Sequence, residues 1–131
     1  MTVETLTTKA TVLVIEDHPL VRRLLVEVLR GAYRVIQASN GLEGWSMIRE
    51  FRPAVVLLDV DLPGLNGLDL CRQLKADPAT YRTRVILVTA RDGDADVMDG
   101  RLAGADGYVK KPFPTALLLR AVAVQLDAVA R

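Results

Sequence analysis

The run Val55-Val56-Leu57-Leu58-Asp59 constrains the fold more than any other stretch of the chain. Four branched apolar residues lead without a polar break into a carboxylate, and Pro63-Gly64 then turns the backbone away. A strand with one face in water alternates polar and apolar residues. An uninterrupted run instead marks a strand covered on both faces, as in a parallel sheet lying under helices. Asp59 therefore stands at the carboxyl end of a buried strand, the edge beyond which open α/β sheets bind their ligands.

The same pattern recurs along the chain. A second apolar run, Val12-Leu13-Val14-Ile15, ends in Glu16-Asp17. Pro19 suits the first turn of a helix in which Leu20, Val21, Leu24, Leu25, Val28 and Leu29 recur at helical spacing, and Gly31 ends it. A short strand over residues 33–38 precedes a helix with Leu42, Trp45 and Ile48 on one face, which stops before Pro53. After the central strand, a third helix over about residues 67–75 turns Leu68, Cys71 and Leu74 inward, and Asp77-Pro78 breaks it. Val85-Ile86-Leu87-Val88 is a fourth buried strand ending at Thr89. A less regular helix over 94–103, a strand over 108–110, Lys111-Pro112 and a last helix over about 114–130 complete the chain. Five repeats of strand then helix predict a parallel sheet with right-handed crossovers and helices on both faces.

The 131 residues fit one domain, read as residues 10–131 behind a loose, Thr-rich lead-in over 1–9. A net charge of +1 gives no electrostatic reason to expect nucleic acid or an acidic membrane as a direct partner. Cys71 is the sole cysteine, so no disulfide can form within the chain. Together with the lack of a membrane-spanning run or signal pattern, this points to the cytoplasm. Leu117, Leu118, Leu119, Ala121, Val122, Val124 and Leu126 make the last helix more apolar than one core face requires. It reads as a well-buried helix, with a partner or self-association surface as the alternative.

Glu16-Asp17, Asp59, Thr89 and Lys111 all fall at carboxyl ends of predicted strands, which in a doubly wound sheet lie along one edge. Three carboxylates brought together repel, and a divalent cation relieves that repulsion. All-oxygen ligands favour Mg2+ or Mn2+; Mg2+ in particular is held by one or two carboxylates and a phosphate oxygen. Lys111 and the Thr89 hydroxyl add a positive charge and a donor, as an incoming phosphoryl group requires.

With Leu57-Leu58-Asp59, Pro63-Gly64, Thr89-Ala90-Arg91-Asp92 and the stretch from Gly104 through Lys111-Pro112-Phe113, these residues resemble the receiver domain of bacterial two-component response regulators. The likeness runs from Val12 to about Val124. It implies a flavodoxin-like sheet of five parallel strands in the order 2-1-3-4-5 and phosphoryl transfer from a sensor histidine kinase or histidine phosphotransfer protein to Asp59. It also implies Mg2+ on Asp17, Asp59 and the Asp61 backbone carbonyl, with Glu16 joining through water. Lys111 would pair with a phosphoryl oxygen, beside a cis bond to Pro112. Thr89 would move toward the phosphoryl group and Tyr108 would swing from exposed to buried behind it. The fourth helix, fifth strand and fifth helix would then present an altered face to an effector protein, an output domain or a second copy. Such a domain is not an enzyme beyond its own phosphorylation and dephosphorylation.

Other readings are weaker. His18, a lone imidazole beside an oxygen site, is a solvated loop residue sooner than a metal ligand. Asp92-Gly93-Asp94-Ala95-Asp96 opens like an EF-hand loop, but Val97 and Ala103 fill the positions that need glycine and glutamate. Asp59-Val60-Asp61 also looks like the nucleophile motif of haloacid-dehalogenase phosphatases. There, however, the nucleophile lies on an early strand and the acidic pair comes last. Asp61 and Arg91 each stand two residues beyond a site residue, where the two could pair across the site and alter phosphoryl lifetime.

Overall fold

Alternate residues of the three central strands serve two separate cores. In the computed structural model, which describes residues 9–130, Leu13, Ile15, Val56, Leu58, Val85 and Leu87 pack into one core. Val12, Val14, Val55, Leu57, Ile86 and Val88 pack into the other. A strand's side chains point alternately to opposite faces. That is why the apolar runs are unbroken: both faces are covered.

The elements follow in the order β1 (Thr11–Ile15), α1 (Pro19–Leu29), β2 (Arg34–Ala38), α2 (Gly41–Phe51), β3 (Val55–Leu58), α3 (Gly67–Ala76), β4 (Arg84–Thr89), α4 (Asp94–Leu102), β5 (Gly107–Lys110) and α5 (Thr115–Ala130). All strand pairs are parallel and the sheet order is β2-β1-β3-β4-β5, as expected. Ile48 of α2 and Leu70, Cys71 and Leu74 of α3 cover the first face. Leu25 and Leu29 of α1 and Leu118 and Val122 of α5 cover the second. The lead-in expected over residues 1–9 lies outside the described residues except for Lys9. Among the described residues no helix is long and apolar enough to cross a membrane.

Two helices turn differently from expectation. In α2, Leu42 is 72% exposed and Trp45 only half-buried, whereas Gly41, Gly44 and Ile48 are the buried residues, Gly41 against Leu65 of the loop after β3 and Gly44 against Ile15 of β1. The cause is spacing: positions 41, 44 and 48 form one stripe, where Gly41 lets the helix approach Leu65 and Gly44 lets it settle on β1, since a side chain at 44 would run into Ile15. In α1, Leu20 and Leu24 are 71% and 52% exposed, leaving Leu25 and Leu29 as the buried pair. On α5, Leu117 and Val124 are likewise exposed, so its apolar surface exceeds what the core uses.

Helix starts account for several polar residues. Asn40 accepts from the Glu43 N–H at 2.8 Å and Asn66 from the Leu68 N–H at 2.7 Å. His18, exposed as expected, is also the N-cap of α1, with Nδ1 3.5 Å from the Val21 nitrogen. Asp96 accepts from the Gly93 N–H at 3.3 Å, and Asp92 pairs with Lys110 at 2.7 Å. The acidic run thus serves a helix start and an ion pair, not a calcium loop. At the start of α5 the Pro114 carbonyl receives the Leu117 N–H at 3.0 Å.

Cys71 is buried, and burial pushes its thiol up to about 11. Its neutral form is therefore favoured in the fold, a contribution present below the unfolded thiol's pKa and lost as pH rises through about 11. At the amino end of the sheet, Asp106 ties three elements together. One oxygen accepts from Lys75 Nζ at 2.8 Å and from the Val85 N–H at 2.9 Å, and the other lies 3.3 Å from Arg84. Lys75 and Asp106 are 19% and 17% exposed. Asp106→Ala leaves a largely buried ammonium and a strand-end N–H without this acceptor, and is expected to lower unfolding free energy by about 2 kcal/mol. Urea denaturation should show that loss as a lower midpoint at unchanged slope.

Candidate functional site

Strand register brings the polar residues together. Ile15 sits opposite Leu58 and Thr89 opposite Lys110, so Glu16, Asp59 and Lys111 each follow the last paired residues at the same edge. The strand order reverses between β1 and β3, which opens the crevice where Glu16, Asp17 and Asp59 lie.

Lys111 Nζ bridges two carboxylates, 2.5 Å from Glu16 Oε1 and 2.8 Å from Asp59 Oδ2. The remaining oxygens are held by backbone: Asp59 Oδ1 accepts from the Asp61 N–H and Glu16 Oε2 from the His18 N–H, both at 3.0 Å. The side chains of Glu16, Asp59 and Lys111 are 2%, 9% and 19% exposed. Burial pushes the Glu16 carboxyl up, against the opposing hydrogen bond from Lys111. Burial also pulls on the Lys111 ammonium, but its bonds to Asp59 and Glu16 prevail and hold its pKa above the ordinary lysine value.

Asp17 is exposed at the rim, and one carboxylate oxygen each from Glu16, Asp17 and Asp59 lie within 4.8 Å of one another. Among the described residues this is the one group of three or more such side chains close enough to share an ion. Three carboxyl groups gather around one ammonium, and the donors are all oxygen. The set fits a hard divalent cation.

Thr89 is fully buried at the end of β4. It joins the site through its backbone, whose carbonyl receives the Lys111 N–H at 2.8 Å, while its Oγ1 accepts from the Arg91 N–H at 3.3 Å. Tyr108 is half-buried and donates its hydroxyl to the Arg91 carbonyl at 2.7 Å; burial raises its phenol pKa. The Lys111–Pro112 bond is cis, and Lys110 points out to Asp92. Asp61 and Arg91 do pair: Arg91 Nη2 lies 2.7 Å from Asp61 Oδ1. That bond holds the Asp61 carboxyl below the usual range.

Two residues of the site escaped the sequence reading. Arg22 Nη1 donates to the Glu16 carbonyl at 2.9 Å and lies 3.5 Å from that of Asp17, bracing the acidic loop from behind. A basic residue on the second turn of the helix after an acidic pair was its only signal. Gly67, the first residue of α3, lies against the Asp59 carbonyl, and a Cβ there would also come within 2.8 Å of Val60 Cα. Nothing in a single sequence announces that approach.

The model of the response regulator receiver domain matches residues 12–123. The chain belongs to that family. DNA-binding response regulator MtrA of Mycolicibacterium smegmatis is 38% identical over 121 residues, which are 92% of this receiver domain's chain and 52% of that protein. The chain thus spans about half the length of such curated relatives. Protein PilH of Pseudomonas aeruginosa is 36% identical over 114 residues, covering 86% of this chain and 94% of its own. Among solved structures, the BeF3 Activated DrrB Receiver Domain superposes with a TM-score of 0.85 at 33% identity, covering 92% of this chain and 99% of that one. The phosphatase alternative finds no support in these likenesses.

Proposed function

We propose that this receiver domain accepts a phosphoryl group on Asp59 from the phosphohistidine of a sensor histidine kinase or histidine phosphotransfer protein. The observation that carries the reading is the placing of Asp59: a carboxylate at the mouth of the crevice, fixed by Lys111 and the Asp61 N–H, with Glu16 and Asp17 alongside. An Asp59 oxygen forms a bond to phosphorus while the bond from phosphorus to the donor's imidazole nitrogen breaks; that nitrogen then takes up a proton. Lys111 changes partner from Asp59 Oδ2 to a phosphoryl oxygen, where its charge matches what develops in transfer. Glu16, Asp17, Asp59 and the Asp61 backbone carbonyl would hold Mg2+, which supplies further counter-charge to the phosphoryl oxygens. Thr89 donates its hydroxyl to the phosphoryl group, and Tyr108 responds behind it.

The domain has no substrate to turn over; its chemistry is confined to its own acyl phosphate. Its output passes through α4, β5 and α5, where Met98, Leu102, Leu117 and Val124 are exposed, to an effector protein, an output domain or a second copy. With a net charge of +1 it makes no direct contact with nucleic acid, and it works in the cytoplasm. The test is incubation with acetyl phosphate, followed on a phosphate-affinity gel. A slowed band that needs Mg2+, fails to form in excess chelator and is lost on alkaline treatment supports the reading; no band, or one independent of divalent cation, contradicts it.

A further inference from the structure

Arg91 has no role in the transfer just described, yet it touches three parts of the site. Its guanidinium crosses from the loop after β4 to the loop after β3. There Nε lies 3.0 and 3.1 Å from the two Asp61 oxygens, and Nη2 lies 2.7 Å from Oδ1. The Asp61 N–H holds Asp59 Oδ1. Through its own backbone, Arg91 donates to Thr89 Oγ1 and accepts the Tyr108 hydroxyl. The Tyr108 ring packs partly buried against the core that contains Leu87. Among the described residues, no other hydrogen bond joins these two loops.

We propose that Asp61 and Arg91 form an ionic clasp between the loops, fixing the Arg91 carbonyl where it receives the Tyr108 hydroxyl and so coupling the inward Tyr108 to the Asp59 loop. The inference rests on the proposed reading of Tyr108 as the responding residue and adds what holds it. Both partners are about half exposed, and most such pairs are too mobile and too well screened to matter. The planar fork of arginine on both oxygens of a carboxylate is the geometry that fixes orientation as well as distance. Asp96 of α4, 3.8 Å from Nη1, backs the guanidinium from the other side. With Asp61 neutralised, the fork loses its anchor, the carbonyl of residue 91 is no longer held, and Tyr108 spends more time outward.

The experiment uses unphosphorylated protein labelled with fluorotyrosine, so that it reads the clasp whether or not Asp59 accepts phosphate. The chain has three tyrosines, and Tyr108→Phe assigns the signal by fluorine NMR. Asp61→Asn and Arg91→Ala are each expected to lower the inward-to-outward ratio about threefold, with the double variant no worse than either. About 1 M salt should bring the wild type toward the variants, since the screening length then falls to about 3 Å. The exchanged pair Asp61→Arg with Arg91→Asp should recover most of the loss, and Arg91→Lys, lacking the fork, should not. Unchanged ratios in both single variants, or effects that add in the double variant, would overturn the proposal. Both positions are surface sites, and matching thermal midpoints will show that all variants compared are folded.

Discussion

Replacing Lys111 with methionine is expected to lower unfolding free energy by about 3 kcal/mol at neutral pH, the usual consequence of leaving buried charge without its partner. Methionine keeps the length of the side chain, so the loss reports charge and not a cavity. Glu16 and Asp59 are nearly buried and share that single ammonium. The pH dependence separates this account from a packing defect. Burial already raises the folded-state pKa of Glu16, and Lys111 works against that rise. In Lys111→Met the rise is larger. A carboxyl whose pKa is higher folded than unfolded binds more protons in the fold. Its stabilising contribution is therefore full below the ordinary glutamate value and is lost as pH climbs through the raised one. The gap between variant and wild type should shrink as pH is lowered toward about 4.5. Millimolar Mg2+ should narrow it too, because a cation on the same carboxylates stabilises the fold in proportion to its binding. Chemical denaturation at several pH values, with and without Mg2+, measures both effects. A gap that is constant in pH would show that Lys111 acts through packing instead.

The second large effect is Gly67→Ala, and here local propensity and packing predict opposite signs. Alanine in place of glycine favours a helix by up to about 1 kcal/mol, less at a first-turn position. Against this, the new methyl group would collide with the Asp59 carbonyl oxygen and stand 2.8 Å from Val60 Cα. Both are backbone atoms, so no side chain can swing away to relieve the contact. Overpacking of this kind costs about 3 kcal/mol, which outweighs the propensity gain. The strain also falls on the backbone of Asp59, the proposed phosphoacceptor, so phosphorylation by acetyl phosphate is expected to slow even at temperatures where the variant remains folded. Thermal denaturation together with phosphorylation rate checks both halves. A Tm at or above that of the wild type would mean that propensity prevails.

These two sites show what the sequence made legible and what it did not. Lys111 could be placed because strand ends in a parallel sheet share an edge, so Val55-Val56-Leu57-Leu58-Asp59 and Val12-Leu13-Val14-Ile15-Glu16 fix where their carboxylates must meet. Unbroken apolar runs told of two covered faces, and two cores flank the sheet. Gly67 could not be placed, because its requirement arises from a neighbour eight positions earlier in the chain that approaches only once the loop has closed. Helix orientation was legible in part. In α1 the apolar residues occupy more of the circumference than one face can bury, so spacing admits several rotations; Leu20 and Leu24 are left outside. In α2 the inward stripe is built partly of glycine, which a hydrophobic pattern does not register. The Asp61–Arg91 pair was foreseeable as a contact, but its link to Tyr108 runs through a backbone carbonyl, to which side-chain identity gives no clue.

The central claim is that Asp59 is the nucleophile, and intact-protein mass spectrometry tests it most directly. Wild type and Asp59→Asn are incubated side by side with acetyl phosphate and Mg2+, and any adduct is mapped by peptide after borohydride trapping. The account predicts a single phosphoryl increment on the wild type, located at Asp59, and none on Asp59→Asn. An adduct that persists in Asp59→Asn, or maps to Asp17 or Asp61 in the wild type, would contradict it.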